Sequence, residues 1–167
     1  IYSTIKYSKG FLHNGSHAID FFTFLYGAPT RFVKAFEKPD YSNADPNVSA
    51  TIWFGEIPVH FIPGDERKFS IFETDICFSK KRYRFCHSGL SLEEYTPQED
   101  PVFPGYIELF QTVKKESGLL TAFSNVYSEI FETLENGKKS VLDAESIIQS
   151  QKLIEMVQSS EPFHCYE

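Results

Sequence analysis

Hydrophobic residues follow two different spacings along this chain. From residue 17 to residue 26 they recur at helical spacing, and Gly27 and Pro29 supply the signals that end a helix. From Arg31 onward they alternate as in half-buried strands, in residues 31–36, 48–54, 59–62, 69–78 and 82–87. With a first strand over residues 2–7, the pattern predicts a sheet of about five or six strands.

Two more helices are predicted near the end of the sequence. The first, over residues 124–136, ends at Gly137 and has an apolar face made of Val126, Ile130, Phe131 and Leu134. The second starts at Asp143, with Glu145 in its first turn. Its predicted buried stripe consists of Ile147, Ile148, Ile154 and Val157.

Residues 92–118 have the weakest periodicity, and we interpret them as a long connection with a short helix near 106–115. The whole pattern predicts one α+β domain over residues 1–167, with a mainly antiparallel open sheet and helices on one face. The aromatic-rich strands at residues 52–54 and 69–72 are either core or interface. The uncovered face needs a second cover, from another subunit or from residues 92–118.

Composition narrows the classes of function. Sixteen basic and 23 acidic residues give a net charge of −7, which argues against a nucleic-acid partner. The sequence has neither a membrane-spanning stretch nor a signal peptide, so we expect no membrane contact and a cytoplasmic location. The three cysteines lack the spacing of a disulfide framework or a zinc site, and we assign no metal.

The glycines exclude several familiar sites. No two of the nine glycines are separated by a single residue, so the GxGxxG loop of a dinucleotide-binding domain is absent. Gly10 and Gly15 have the spacing of a P-loop, but Ser16 and His17 stand where its Lys and Ser/Thr are required. The sequence also lacks the GxSxG and HExxH motifs.

Two separated motifs resemble the C-terminal domain of the Gfo/Idh/MocA oxidoreductases. The first is the segment Gly-Phe-Leu-His-Asn-Gly-Ser-His-Ala-Ile-Asp over residues 10–20, with the core G-x-H-x-x-D, followed by Gly27-Ala-Pro29. The second covers residues 132–146 and the closing helix over residues 152–160. The order of elements agrees as well, so the resemblance extends over essentially the whole chain.

The resemblance implies a two-domain enzyme. An N-terminal Rossmann domain, absent from this sequence, would bind most of the NAD or NADP, and the present chain would be a fragment that supplies substrate contacts. The expected substrate is a sugar, a sugar derivative or a polyol, oxidised or reduced at a carbinol carbon. Members commonly pair through the open sheet face, so the resemblance also implies a homo-oligomer.

Four residues are the candidate site by this resemblance. His17 matches the family's catalytic histidine, and an imidazole is suited to accept a hydroxyl proton near neutral pH. Many members have an Asp four residues earlier, where this chain has His13, a candidate substrate-binding residue beside Asn14 and Ser16. His17 is alternatively a helix-start histidine bonded to backbone, and the His13 departure allows a non-catalytic binding or dimerisation module.

Two further features have structural interpretations. Asp20 follows His17 by three residues, so we expect its carboxylate to cap the helix. The sequence Glu37-Lys38-Pro39 is identical to a catalytic motif of the family, but that motif belongs to the Rossmann domain. We therefore interpret it as a coincidence and Lys38 as a surface charge.

Overall fold

The computed structural model describes residues 1–137, 144–163 and 165–166. At residues 144–146 and 165–166 it describes only the backbone. The described residues form nine strands and three α-helices. The strands are β1 Tyr2–Tyr7, β2 Pro29–Lys38, β3 Asn47–Phe54, β4 Ile57–Pro63, β5 Phe72–Cys77, β6 Arg82–Cys86, β7 Ser91–Glu99, β8 Ile107–Glu116 and β9 Cys165–Tyr166. The helices are α1 Ser16–Tyr26, α2 Ala122–Asn136 and α3 Ala144–Ser159. A π-helical turn, Gly10–Gly15, leads into α1, and a 3-10 turn, Leu119–Thr121, leads into α2.

All nine strands belong to one sheet, in the order β8-β7-β6-β5-β1-β4-β3-β2-β9. Neighbouring strands are antiparallel except β1 and β4, which are parallel in the register Ser3↔Val59. The mainly antiparallel open sheet is thus confirmed, with more strands than predicted. The strands absent from the prediction are the pair β7 and β8 and the two-residue β9.

Helices α1 and α3 lie on one face of this sheet. Strand alternation directs one set of side chains beneath them, so β3 has four buried hydrophobic residues at alternate positions: Val48, Ala50, Ile52 and Phe54. From α1, Ala18, Ile19 and Phe22 pack into the same core, and from α3, Leu153, Ile154 and Val157 do. The burial of Ile154 and Val157 confirms part of the predicted α3 stripe.

The prediction is wrong for the other two residues of that stripe, Ile147 and Ile148, which are exposed. Among the α3 side chains that the structure describes, the buried ones are Ser150, Leu153, Ile154 and Val157, which is the spacing of one helical face. Ile147 and Ile148 therefore do not belong to the core. The predicted N-cap Asp143 lies outside the described residues, and at Glu145 only the backbone is described.

Residues 92–118 are mainly a β-hairpin and not a long connection with a helix near 106–115. β7 and β8 pair from Ser91↔Glu116 to Glu99↔Ile107, and most side chains of β8 are exposed. Because few side chains of this hairpin contact the core, its sequence has no clear alternation of hydrophobic and polar residues. It extends the sheet at one edge, so the predicted alternative of a cover formed by these residues is also wrong.

The predicted helix α2 exists and ends at Gly137, whose N–H bonds to the carbonyl of Thr133 at 3.1 Å. It does not, however, help to cover the sheet, since none of its side chains is buried. Its apolar face is 38–77% exposed, at Val126, Ile130, Phe131 and Leu134. A hydrophobic pattern indicates that a helix has an apolar face but does not say what covers it.

The uncovered sheet face is mostly polar. Arg82 pairs with Asp75, and Glu93 lies among Arg84, Tyr95 and Lys114. Trp53 is half-buried on this face with the guanidinium of Arg31 4.5 Å from its ring centroid, whereas Ile52 and Phe54 are core. None of the helices in the described ranges combines the length and apolar character that crossing a membrane requires.

Candidate active site

The candidate residues lie where β1 ends and the chain turns into helix. Lys9 adopts a left-handed conformation (φ 70°, ψ 31°), and Gly10 follows with φ 90°. A Cβ at Gly10 would lie 2.0 Å from Oδ2 of Asp45, so this close approach requires glycine. Residues 10–15 then form the π-helical turn that carries His13 and Asn14, and α1 begins with Ser16 and His17.

The loop between β2 and β3 caps this turn. Asp45 accepts hydrogen bonds from the backbone N–H groups of Leu12 (2.8 Å) and His13 (3.0 Å). Asn47 accepts one from the N–H of Gly10 at 2.7 Å, through Oδ1. Carboxylate and amide oxygens thus satisfy N–H groups that a helix start leaves unpaired.

Asp20 does not form the predicted cap. It lies beyond the first turn of α1, where no side-chain cap bond occurs, and its side chain is exposed. The capping carboxylate comes instead from Asp45, 32 positions after His13. A cap supplied from another part of the chain leaves no local spacing in the sequence, so the sequence pattern assigned the role to the nearest carboxylate.

A cleft opens beside the N-terminal end of α1. Its polar part, of about 470 Å³, is lined by Lys9, His13, Asn14, His17, Ser70, Phe72, Ser88 and Leu119. An adjoining apolar part of about 360 Å³ is lined mainly by Phe21, Phe72, Phe85, Leu119 and Ala122, with Thr74, Asn125 and others at its edges. His17 lines both parts, so its imidazole lies between a polar and an aromatic environment.

His17 is an exposed imidazole within this cleft. No hydrogen bond joins its side chain to another described residue, so the description of a histidine bonded to backbone does not fit it. The ring of His13 lies 6.3 Å away, centroid to centroid, at an interplanar angle of 76°. An unbonded imidazole facing a cavity can accept or donate a proton to a molecule bound there.

The other two candidates have part of their bonding capacity engaged. Asn14 lines the cleft, and its Nδ2 donates to the carbonyl of Ser8 at 2.7 Å, which leaves its oxygen for a ligand. Ser16 donates its hydroxyl to the carbonyl of His13 at 2.6 Å and does not line the cleft. The structure therefore brings together His13, Asn14 and His17, with Ser16 behind them.

Sequence reasoning did not include Lys9, Ser70, Phe72, Ser88 and Leu119 among the site residues. They come from four separate segments that only the folded sheet brings beside α1. The position of Lys9 immediately before the Gly10 motif was the one available signal. Lys38, at the end of β2, does not line the cleft, and Glu37 pairs with the buried Lys34.

The backbone amides beside the cleft already have an acceptor within the protein. At the helix start beside the cleft, the N–H groups of Leu12 and His13 bond to the carboxylate of Asp45, so these two amides are not available to a phosphate. Within the described ranges, no group of three or more His, Cys, Asp or Glu side chains is arranged to hold a metal ion.

Solved structures with a similar fold include proteins described as oxidoreductases. An oxidoreductase from Bacillus cereus aligns with 100% of this chain and 58% of its own, with a TM-score of 0.71 and 10% identity. UDP-N-acetylglucosamine 3-dehydrogenase GnnA from Acidithiobacillus ferrooxidans aligns with 93% of this chain and 53% of its own, with a TM-score of 0.69 and 10% identity. This is the fold of a Gfo/Idh/MocA C-terminal domain.

The Gfo/Idh/MocA C-terminal fold also occurs in a protein that is not described as a dehydrogenase. A super-repressor mutant of Gal80p from Saccharomyces cerevisiae aligns with 94% of this chain and 54% of its own, with a TM-score of 0.60 and 12% identity. The chain thus spans somewhat more than half the length of these proteins. Neither a protein-family model nor a curated protein matches the sequence.

Proposed function

We propose that this chain is the substrate-binding and catalytic domain of an NAD(P)-dependent oxidoreductase. Its substrate would be a sugar, a sugar derivative or a polyol, oxidised or reduced at a carbinol carbon. The observation that carries the proposal is the position of His17, an unbonded imidazole at the start of α1 that faces the cleft in this fold. A general base must reach the substrate hydroxyl. The imidazole of His17 is available for this, because it makes no hydrogen bond to another described residue.

Each candidate residue has a proposed role. His17 accepts the proton of the reacting hydroxyl, while His13 and the side-chain oxygen of Asn14 contact neighbouring hydroxyls of the substrate. Ser16 acts indirectly, because its hydroxyl bonds to the carbonyl of His13 and so helps to fix that turn. The bound nicotinamide would supply the hydride acceptor or donor.

The rest of the enzyme follows from the same proposal. Residues 1–167 would be one domain, and a Rossmann domain outside this sequence would bind most of the NAD or NADP. A homo-oligomer would form through the uncovered sheet face, where Trp53 and Arg31 lie. We expect the enzyme to be cytoplasmic and to need no metal.

A second candidate function is a non-catalytic binding or dimerisation module. Two observations favour it: His13 stands where many members have Asp, and the fold also occurs in Gal80p, whose solved form is a super-repressor. The sequence upstream of Ile1 separates the two candidates. A strand followed by GxGxxG and a later Glu-Lys-Pro would support the enzyme.

The decisive experiment is steady-state kinetics of the full-length protein with NAD or NADP and a panel of sugars and nucleotide sugars. We expect His17→Asn to lower kcat roughly 10²- to 10⁴-fold, as loss of a general base does. His13→Asn should raise KM more than it lowers kcat. His60→Asn is the matched control, because His60 bonds to Thr51 on the opposite sheet face. A wild-type kcat for His17→Asn would leave the binding module as the better account.

A further inference from the structure

The polar part of the cleft includes a lysine within a negatively charged chain. Lys9 lines it beside His13 and His17, and no Asp or Glu is among the described residues of this lining. The chain as a whole has a net charge of −7. Local charge of the opposite sign to the whole protein, concentrated in a cavity, attracts anions to that cavity.

Lys9 is held in a defined position. Its backbone N–H donates to Oδ2 of Asp40 at 2.9 Å, and this bond fixes the left-handed turn from which the side chain leaves the strand. Its Nζ lies 3.5 Å from Oε1 of Glu66, and the Lys9 side chain is 39% exposed. An ammonium has three donors, so one long ion pair leaves donors for a ligand in the cleft.

The carboxylates near Lys9 also accept hydrogen bonds from other groups. Glu66 accepts a hydrogen bond from the Ser8 hydroxyl at 2.6 Å, and that bond holds the pKa of Glu66 below its usual range. Asp40 accepts bonds from the N–H of Lys9, the N–H of Glu66 and the amide of Asn47.

Asp45, the third carboxylate, faces the backbone of the helix start and Nε2 of Gln158. None of these three acids is among the described residues that line the polar part of the cleft, whereas Lys9 is.

We propose that Lys9 is a specificity-determining residue that binds a carboxylate or phosphate of the substrate. The substrate would then be an anionic sugar derivative and not a neutral polyol. This inference rests on the proposed function and adds the substrate class. With the anion at Lys9 and His13, the sugar ring would reach His17, and a less polar substituent would enter the part lined by Phe21, Phe72 and Phe85.

Lys9 would distinguish anionic from neutral substrates through the strength of the bond that its ammonium forms. An ammonium bonded to an anion forms a charge-assisted hydrogen bond, about twice as strong as a neutral one. A site built for such a bond loses it entirely with a neutral analogue. We therefore expect a neutral sugar to bind at least roughly tenfold more weakly than its anionic counterpart.

The test is an NMR titration of this chain with D-glucose, D-glucuronate and glucose 6-phosphate, followed at the imidazole resonances of His13 and His17. We expect one or both anions to bind at least roughly tenfold more tightly than glucose. The glucuronate and phosphate arms show which anionic group the site takes. Inorganic phosphate at the same ionic strength separates specific binding from general attraction to positive charge.

Variants make the test specific to Lys9. Lys9→Gln should remove the preference for the anion, Lys9→Arg should retain it, and Lys68→Gln, at an exposed lysine outside the cleft, should leave it unchanged. Folding of each variant is checked by circular dichroism. Equal binding of glucose and both anions, failure of both anions to perturb either histidine, or a retained preference in folded Lys9→Gln would overturn the inference. None of these results depends on whether His17 is catalytic, which the kinetic experiment tests separately.

Discussion

The carboxylate of Asp45 bonds to the backbone of His13 across 32 positions of the sequence. Its Oδ2 accepts the N–H of His13 at 3.0 Å, and its Oδ1 accepts the N–H of Leu12 at 2.8 Å. The β2–β3 loop thereby holds the helix start from which His13 and His17 face the cleft. The geometry of the candidate site depends on a residue that does not line it.

Replacing this carboxylate should weaken both the fold and the site. We expect Asp45→Ala to lower the free energy of unfolding by about 1–2 kcal/mol, since it leaves two helix-start N–H groups without their acceptor. It should also shift the imidazole resonances of His13 and His17. Urea denaturation and NMR measure the two effects. Asp20→Ala, an exposed carboxylate on the same helix, is the control and should change stability by less than about 0.5 kcal/mol.

Lys34 joins β2 to the end of α3 through a buried ammonium. Its side chain is 4% exposed, and Nζ donates to the carbonyls of Gln158 and Ser160 and to Glu37. Lys34→Met should destabilise the chain by about 2–3 kcal/mol, because these acceptors lose a charged donor. Thermal and urea unfolding measure this loss. The exposed Lys68→Met should be nearly neutral, and an equal loss in both variants would contradict the role of Lys34.

Glu93 should make stability depend on acid pH. A hydrogen bond from Tyr95, together with Lys114 and Arg84, holds the pKa of Glu93 below its usual range. The unfolded chain then binds the proton more readily than the folded chain, so this contribution is fully present above the ordinary carboxyl pKa of about 4.3. It is lost as pH falls through the lower folded value.

Comparison of wild type with Glu93→Gln isolates this effect. The difference in unfolding free energy should be roughly 1.5–3 kcal/mol near pH 7 and should shrink on acidification below about pH 4. Urea denaturation across pH measures it. The exposed Glu116→Gln should show no such trend, and a Glu93→Gln difference independent of pH would be inconsistent with this explanation.

The 167-residue chain should not bind NAD(H) measurably. It has no GxGxxG loop, and the helix-start amides of Leu12 and His13 are occupied by Asp45. Calorimetric titration checks this expectation. Micromolar binding would count against the proposal that a separate domain holds the cofactor.

The chain should self-associate through the uncovered sheet face. Trp53, the single tryptophan of the sequence, lies on that face with Arg31, so its fluorescence should shift to shorter wavelength as concentration rises. Sedimentation should show a dimer that Trp53→Ser weakens. Tyr41→Ser, at a residue 72% exposed in the β2–β3 loop, should leave it intact. A monomer at high concentration would refute this expectation.

The sequence alone determined much of the fold. Strand alternation located β1 to β6 to within a few residues, because most of their buried hydrophobic positions face one core. Helix-ending glycines were equally reliable: the N–H of Gly27 bonds to Thr23 and that of Gly137 to Thr133, since these signals act within one turn. The motif around His17 carried the resemblance that the fold comparison supports.

Only the tertiary structure decided the features that depend on distant segments. It revealed the hairpin β7–β8, in which few side chains are fully buried, and it left α2 off the sheet although its apolar face is clear. It replaced Asp20 with Asp45 as the cap and brought Lys9, Ser70 and Ser88 to the same cleft as His17. Local spacing records hydrogen bonds and burial within one element, whereas caps, cavities and charge clusters arise where separate elements meet.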